Sequence, residues 1–351
     1  MSNSASAPVI GVVTNPNSQK NRANPQRYEQ MRAVVGDLGL VRRTQDVTAI
    51  ANVVREFLAA GIRYFVADGG DGAFHWLMNT IWQVLDKDNT ANWPAILPTN
   101  AGTIDFVGRK AEVIGGCDQL LPELVRLIDS GGAPKIVRLP TFDLRGTYGP
   151  NADFPGKPFE KLGFATAVAG ISQRFFDKFY AHDRQDGPGI AFLVAKILSS
   201  QASRTPLLSW VPMPVGWRYF GEPVFEGIPA EVWLDGEKLP IAVFRDLDIG
   251  AIDINIKNMF RFFPLAHTGE HLHVQCGDLS PLDVLKNLPR MATGKTMSID
   301  NYVQRQVKHV KVVPLQGRTL DPVIDGELYW GLQSCELSMG PKVPVVQLQA
   351  P

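Results

Sequence analysis

The residues most able to do chemistry are Gly69-Gly70-Asp71-Gly72. Tyr64 to Ala67 precede them as a short apolar run with the length and aromatic or β-branched content of a buried strand. Phe74, Leu77, Met78, Ile81, Trp82 and Leu85 follow at helical spacing. A strand, a glycine turn and a helix gather backbone N–H groups and a helix N-terminus at one point. Such a point binds anions, most naturally phosphate. The glycines are expected to let the backbone approach a ligand and to adopt positive φ. A bare Asp71 would repel phosphate, so its carboxylate is expected to act through Mg²⁺. A tight βα turn with an N-capping aspartate is the structural alternative.

The elements that must position this loop alternate through about residue 130. Val9 to Thr14 reads as a buried strand, followed by the polar loop Asn15-Pro16-Asn17-Ser18. A helix over Pro25–Leu38 and a short strand over Leu40–Thr44 come next. Asp46 to Ala60 reads as a helix capped by Asp46 or Thr48 and stopped by Gly61. After the glycine loop and its helix, Trp93 to Pro98 is a strand ending in Thr99-Asn100-Ala101-Gly102-Thr103, and Leu120 to Ile128 is a helix. This is the pattern of an open parallel sheet with helices on both faces, which holds ligands outside its strands' carboxyl ends. Four polar loops, at Asn15, Thr44, Gly69–Gly72 and Gly102–Thr103, fall at such ends. They define an expected nucleotide cleft.

Beyond Gly131-Gly132-Ala133-Pro134 strand-like runs dominate, and Asp235-Gly236 and Asp325-Gly326 read as hairpin turns. The expected organisation is therefore α/β. An N-terminal nucleotide-binding domain spans 1–134. A mainly antiparallel β-sandwich spans 135–351, with its C-terminal segment free to return to the cleft. Lys+Arg balance Asp+Glu and no basic tract occurs, which argues against nucleic acid as a partner. Cys117, Cys276 and Cys335 form no Cys-x-x-Cys, as expected of a reducing compartment. Met1 to Pro8 lacks a signal pattern, and no apolar run approaches the roughly eighteen residues of a membrane span. A cytoplasmic protein is expected, with peripheral membrane contact and a homodimer both open to it.

In their order, these motifs resemble the catalytic fold of the diacylglycerol kinase family, which includes sphingosine kinases and bacterial lipid kinases. Asn-Pro-x-Ser follows the first strand, Gly-Gly-Asp-Gly the third, and Leu-Pro…Gly-Thr…Asp-Phe the fourth. Pro264-Leu265-Ala266, Leu272-His273-Val274, Pro281–Leu285, Gly294-Lys295 and Asp325-Gly326-Glu327 continue the order nearly to the end. More distantly the chain resembles NAD kinases and phosphofructokinases. The resemblance implies an ATP- and Mg²⁺-dependent phosphotransferase acting on an alcohol group of a lipid such as diacylglycerol or a sphingoid base. It implies that Asn15 and Thr44 line the nucleotide site, that Gly69, Gly70, Asp71 and Gly72 hold the phosphates, and that Thr103 contacts them. Glu327 takes the place of the family's proton acceptor, and a transferring hydroxyl does need such a base. Glu237, in a second Asp-Gly-Glu, is expected to be a solvated hairpin tip. The chain departs from the pattern at Ala73, usually Thr, and at His75-Trp76, usually Asn-Glu. It departs again in the shortened Gly102-Thr103-Ile104-Asp105-Phe106, and at Thr268-Gly269-Glu270, near a structural Mg²⁺ in bacterial members.

Two further segments carry paired readings. His267, Glu270, His271 and His273 could supply a transition-metal site, or form a polar strand. The aromatic, proline-broken stretch Leu207 to Phe220 could wall an acyl-chain pocket, touch a membrane, or be ordinary core; Met259 to Phe263 invites the same choice. The functional expectation is an ATP-dependent kinase of a lipid or lipid-like acceptor. Its rivals are a kinase of a soluble acceptor and a nucleotide- or lipid-binding module without catalysis.

Overall fold

The computed structural model describes residues 8–350 except 17–18, 88–89, 103, 183, 185, 207 and 257–259. Thr103 and Ser18 therefore lie outside the described residues. The chain divides into two units, one of residues 1–139 with 341–351, the other of residues 140–340.

The first unit follows the expected alternation. Its elements are β1 (Ile10–Thr14), α1 (Gln19–Ala23), α2 (Arg27–Val35), β2 (Gly39–Arg43), α3 (Val47–Ala59), β3 (Tyr64–Asp68), α4 (Asp71–Val84), β4 (Ala95–Pro98), α5 (Phe106–Lys110), α6 (Cys117–Asp129) and β5 (Lys135–Leu139). Asp46 caps α3 by accepting from the Ala49 N–H at 2.9 Å. The sheet order is β2-β1-β3-β4-β21-β5, where β21 is Val343–Gln347. β1 to β4 and β21 run parallel, while β5 pairs antiparallel with β21. The sheet is thus mostly rather than wholly parallel. Lys135–Leu139, placed by the sequence in the second domain, is an edge strand of the first sheet. Only the arrival of β21 gives its backbone groups partners.

Because β2 lies on one side of β1 and β3 on the other, right-handed crossovers put α2 and α3 on opposite faces. The reversal of direction between β1 and β3 makes a topological switch point there. The core is continuous with this logic. Phe57 of α3 and Phe65 of β3 are fully buried and meet edge to face, 5.3 Å apart.

The second unit holds two antiparallel sheets. Its first elements are β6 (Phe142–Tyr148), β7 (Pro158–Gly163), β8 (Ala165–Gly170), α7 (Ile171–Tyr180), α8 (Gly187–Ala202) and α9 (Val215–Arg218). Then come β9 (Ile228–Leu234), β10 (Glu237–Lys238), β11 (Val243–Phe244), β12 (Asp246–Gly250), β13 (Ile254–Ile256), β14 (Phe260–Phe262), β15 (Leu272–Gly277) and α10 (Pro281–Thr293). The last are β16 (Tyr302–Val307), β17 (His309–Pro314), β18 (Val323–Ile324), β19 (Glu327–Leu328) and β20 (Leu332–Met339). One sheet runs β10-β9-β17-β20-β6-β7 with β11 on β9, the other β16-β15-β12-β8-β18-β19, and β13 pairs with β14. The sheets meet closely: a Cβ on Gly163 would lie 2.4 Å from Ile324 Cγ2.

β12 is a central strand that the sequence conceals, because two aspartates interrupt its apolar pattern. Asp246 and Asp248 point to the same face and are both buried. The Tyr302 hydroxyl donates to Asp246 and the Ser172 hydroxyl to Asp248, each at 2.5 Å. Burial favours the neutral acids, so Asp246 is pushed from 3.8 up to about 7; Asp248 is also raised, by burial and then by the neighbouring charge. The stabilisation is therefore full below the ordinary carboxyl pKa and is lost as pH rises toward 7. Asp246→Asn, which keeps an acceptor for Tyr302, is expected to melt at an increasingly higher temperature than wild type as pH is raised from about 4 to about 8. A melting difference independent of pH would refute the protonated pair.

Candidate functional site

The switch point is occupied by a polar network. Thr14 ends β1 and stands opposite Asp68, which ends β3. The Thr14 hydroxyl donates to Asp68 Oδ2 at 2.6 Å, and the Arg27 guanidinium donates to Asp68 Oδ1 at 2.5 Å. Arg27 also pairs with Asp118 of α6. The Asn21 amide donates to Thr14 Oγ1 at 2.8 Å and to the Asn15 carbonyl at 2.7 Å. Burial works against the Arg27 charge, but the hydrogen bond and charge of Asp68 outweigh it and raise its pKa.

Immediately after Asp68 the chain turns into α4. Gly70 is the N-cap residue, with extended φ and ψ of −88° and −159°. None of Gly69, Gly70 and Gly72 has a positive φ, contrary to expectation. Close approach is what demands glycine here. A Cβ on Gly70 would sit 2.6 Å from Gly102 Cα, and one on Gly69 would sit 2.5 Å from Ala73 Cβ. Gly72 is the second residue of α4. Thr99, which the sequence did not single out, ties the β3 and β4 loops together. Its hydroxyl accepts from the Gly69 N–H at 3.2 Å and donates to the Ala67 carbonyl at 3.1 Å.

Asp71 opens α4, and its two oxygens accept from the Phe106 and Val107 N–H groups, each at 3.2 Å. Its carboxylate thus caps α5 across the loops, a task the sequence reading did not assign to it. Asp105 Oδ1 accepts from the Gly102 N–H at 2.8 Å. Among the described residues no group of three or more His, Cys, Asp or Glu side chains is placed to cage a metal ion. Thr44 is buried, with its N–H donating to the Thr14 carbonyl at 3.0 Å, and Asn15 is exposed. Beside them a cleft of about 220 Å³ is lined by Thr14, Pro16, Asn21, Asn24, Pro25, Tyr28 and Arg43. The Arg43 guanidinium lies 3.9 Å over the Tyr28 ring.

In the second unit the two Asp-Gly-Glu turns separate clearly. Both are hairpins with φ > 0 at Asp and Gly: 54° and 86° at Asp235-Gly236, 52° and 89° at Asp325-Gly326. Glu237 is exposed and ion-paired with Arg305 at 3.0 Å. Asp325 is buried and accepts from the Phe164 and Ala165 N–H groups at 2.9 and 3.0 Å, which leaves Glu327 half-buried on a pinned turn. Lys161, near Tyr329, is pushed by burial down to about 8. Among the described residues the histidine segment gathers no group of three or more metal-ligating side chains. His273 is buried beside Phe263, its Nδ1 accepts from the Leu265 N–H at 3.4 Å, and burial lowers its pKa to about 4.

No family model matches the chain. No curated protein matches it either. Solved structures do. A proposed diacylglycerol kinase from Bacillus anthracis str. Sterne superposes with a TM-score of 0.61 at 13% identity, over 97% of this chain and 96% of that one. A second structure described in the same terms gives 0.60 at 13% identity, over 97% of each chain. Yeast NADH kinase, complexed with NADH, gives 0.51 at 8% identity, over 98% of this chain and 84% of that one. The chain therefore has the two-part fold shared by these proteins, the fold that its motif order resembles.

Two changes test the loop's construction. Asp68→Ala strands Arg27 in a buried position with Asp118 alone, and should cost about 3 kcal/mol of stability by denaturant titration. Gly70→Ala forces a methyl group against Gly102 and should cost about 1–3 kcal/mol. Wild-type stability in either variant would show that these contacts do not hold the loop.

Proposed function

We propose that the chain is an ATP-dependent phosphotransferase that phosphorylates a hydroxyl of a lipid or lipid-like acceptor. The observation that carries this reading is the pairing of Gly70 with Gly102 between the ends of β3 and β4, beside the switch point and directly at the N-terminus of the fourteen-residue α4. Two loops without side chains at their closest point leave backbone donors and the helix dipole to face an anion. The fold's neighbours include proteins described as a proposed diacylglycerol kinase and an NADH kinase, which supports a kinase over other phosphate-binding functions.

In this reading the Gly69–Gly72 loop and the first turn of α4 bind the nucleotide phosphates, with Asn15 and Thr44 lining the site. Asp71 and Asp105 suit a Mg²⁺ ion that arrives with the nucleotide, since Mg²⁺ is often held by one or two carboxylates plus phosphate oxygens. When bound, that ion neutralises charge on the transferring phosphate. Glu327 accepts the acceptor's hydroxyl proton, and Asp325 fixes the turn that carries it. Ala73, where a hydroxyl is usual, and the capping duty of Asp71 favour the second reading, a nucleotide-binding module without turnover.

The test is turnover of labelled ATP on lipid extracts and on soluble alcohols. Glu327→Gln should lower kcat by roughly 10²–10⁴ with ATP affinity nearly kept, whereas Glu237→Gln should be near neutral. ATP binding with no turnover on any acceptor would leave the binding module. An active Glu327→Gln would remove Glu327 as the base.

A further inference from the structure

The second unit carries one surface built from unusual residues. Residues 187–221 contain no Asp or Glu, and their charges are Lys196, Arg204 and Arg218. α8 has Lys196 as its sole charged residue. Leu193 and Ile197 on one side of it pack with Phe179, Val224 and Phe225. A helix on a water-facing surface normally balances such a core face with charged residues opposite. Here the outward residues include Phe192, 46% exposed. The following segment leaves Trp210 77%, Val215 74% and Tyr219 50% exposed. The core reading of this stretch therefore fails at Trp210, Val215 and Tyr219, although Phe220 packs against the core.

Contacts join α8 to the segment that follows it. Phe192 meets Trp217 edge to face at 6.0 Å, and the Trp217 indole N–H donates to Ser199 at 3.0 Å. The Ser200 hydroxyl donates to the Arg218 carbonyl at 2.8 Å, and the Arg218 guanidinium donates to the Val211 carbonyl at 2.8 Å. Cations border the aromatic rings: Lys196 lies 3.9 Å from the Phe220 centroid and Arg204 lies 5.5 Å from that of Tyr219. Arg204 also pairs with Glu222 at 3.0 Å.

We propose that this face docks the second unit onto the surface of a bilayer containing anionic lipid. Trp and Tyr combine an apolar body with a polar tip suited to the headgroup boundary, and Lys and Arg lay apolar stems there while their charges reach phosphate. Residues 187–221 contribute no acid to repel such a surface, and the adjoining Glu222 is answered by Arg204. The lack of acid also disfavours a second copy as occupant, because a two-fold contact would set Lys196 and Arg218 of one face against those of the other with no acid from 187 to 221 to answer them. This inference goes beyond the kinase reading and does not depend on it, because it concerns binding rather than turnover.

The experiment is co-sedimentation of the full chain with vesicles of phosphatidylcholine alone and of phosphatidylcholine with phosphatidylglycerol. Binding is expected to the mixed vesicles and to weaken as salt is raised. Trp210→Ala and Val215→Glu, both at exposed positions, should each weaken binding about tenfold or more with an unchanged melting temperature. Equal binding by wild type and both variants, or no binding to anionic vesicles, overturns the proposal. A dimer in sedimentation velocity that Val215→Glu dissociates, without vesicle binding, assigns the face to a second copy and overturns it too.

Discussion

The buried pair of Arg27 and Asp68 is the interaction on which the first unit's site depends. It is the point where α2, α6, β1 and β3 are joined through Thr14, Asp68, Arg27 and Asp118. A carboxylate directly before a phosphate-type loop would ordinarily oppose an anion. Here its charge is already answered by Arg27 and its oxygens by Thr14 and Arg27, so it spends its chemistry inside the protein. The loop that follows is then free to present backbone rather than side chains. The closeness of Gly70 to Gly102 depends on the end of β3 being held where Asp68 holds it.

Much of this was legible in the sequence. Apolar runs and their spacing located β1 to β4, though not β21, and Asp46, one of the two caps the sequence offered, does cap α3. The glycine loop and the pinned Asp325 turn were visible as motifs. What the sequence hid was partnership between distant residues. Nothing local marks Arg27 as the partner of Asp68, or Asp71 as the cap of α5, since the first contact exists only once α2 packs beside β3 and the second only once β3 and β4 are neighbours. The positive φ expected of the loop glycines was a wrong reason for the right residues: contact, not dihedral, excludes a side chain there. β12 was missed because Asp246 and Asp248 look like loop residues until Tyr302 and Ser172 supply their hydrogen bonds.

The second unit distributes polarity in an unusual way. It buries two carboxyl groups within a central strand while leaving Trp210, Val215 and Tyr219 in solvent. Each is costly by itself, since buried acids must give up their charge and exposed aromatics order water. The first cost is offset by hydroxyl donors in the same sheet and helix. The second is only partly offset, by Arg204 over the Tyr219 ring, which makes an external apolar phase the natural counterpart of that face.

The place of β21 has a consequence for how the protein is made. Val345 pairs with Ile96 of β4, and Val343–Gln347 pairs with Lys135–Leu139, although the whole of residues 140–340 lies between. During synthesis the first unit's sheet waits, with the edges of β4 and β5 unpaired, until the entire second unit has been translated. Unpaired edges of that kind recruit other chains. The first unit is therefore a domain interrupted in time as well as in sequence. Early folding of the second unit, which brings residues 139 and 341 together through the Gly340–Thr141 hydrogen bond, shortens the search that closes the sheet.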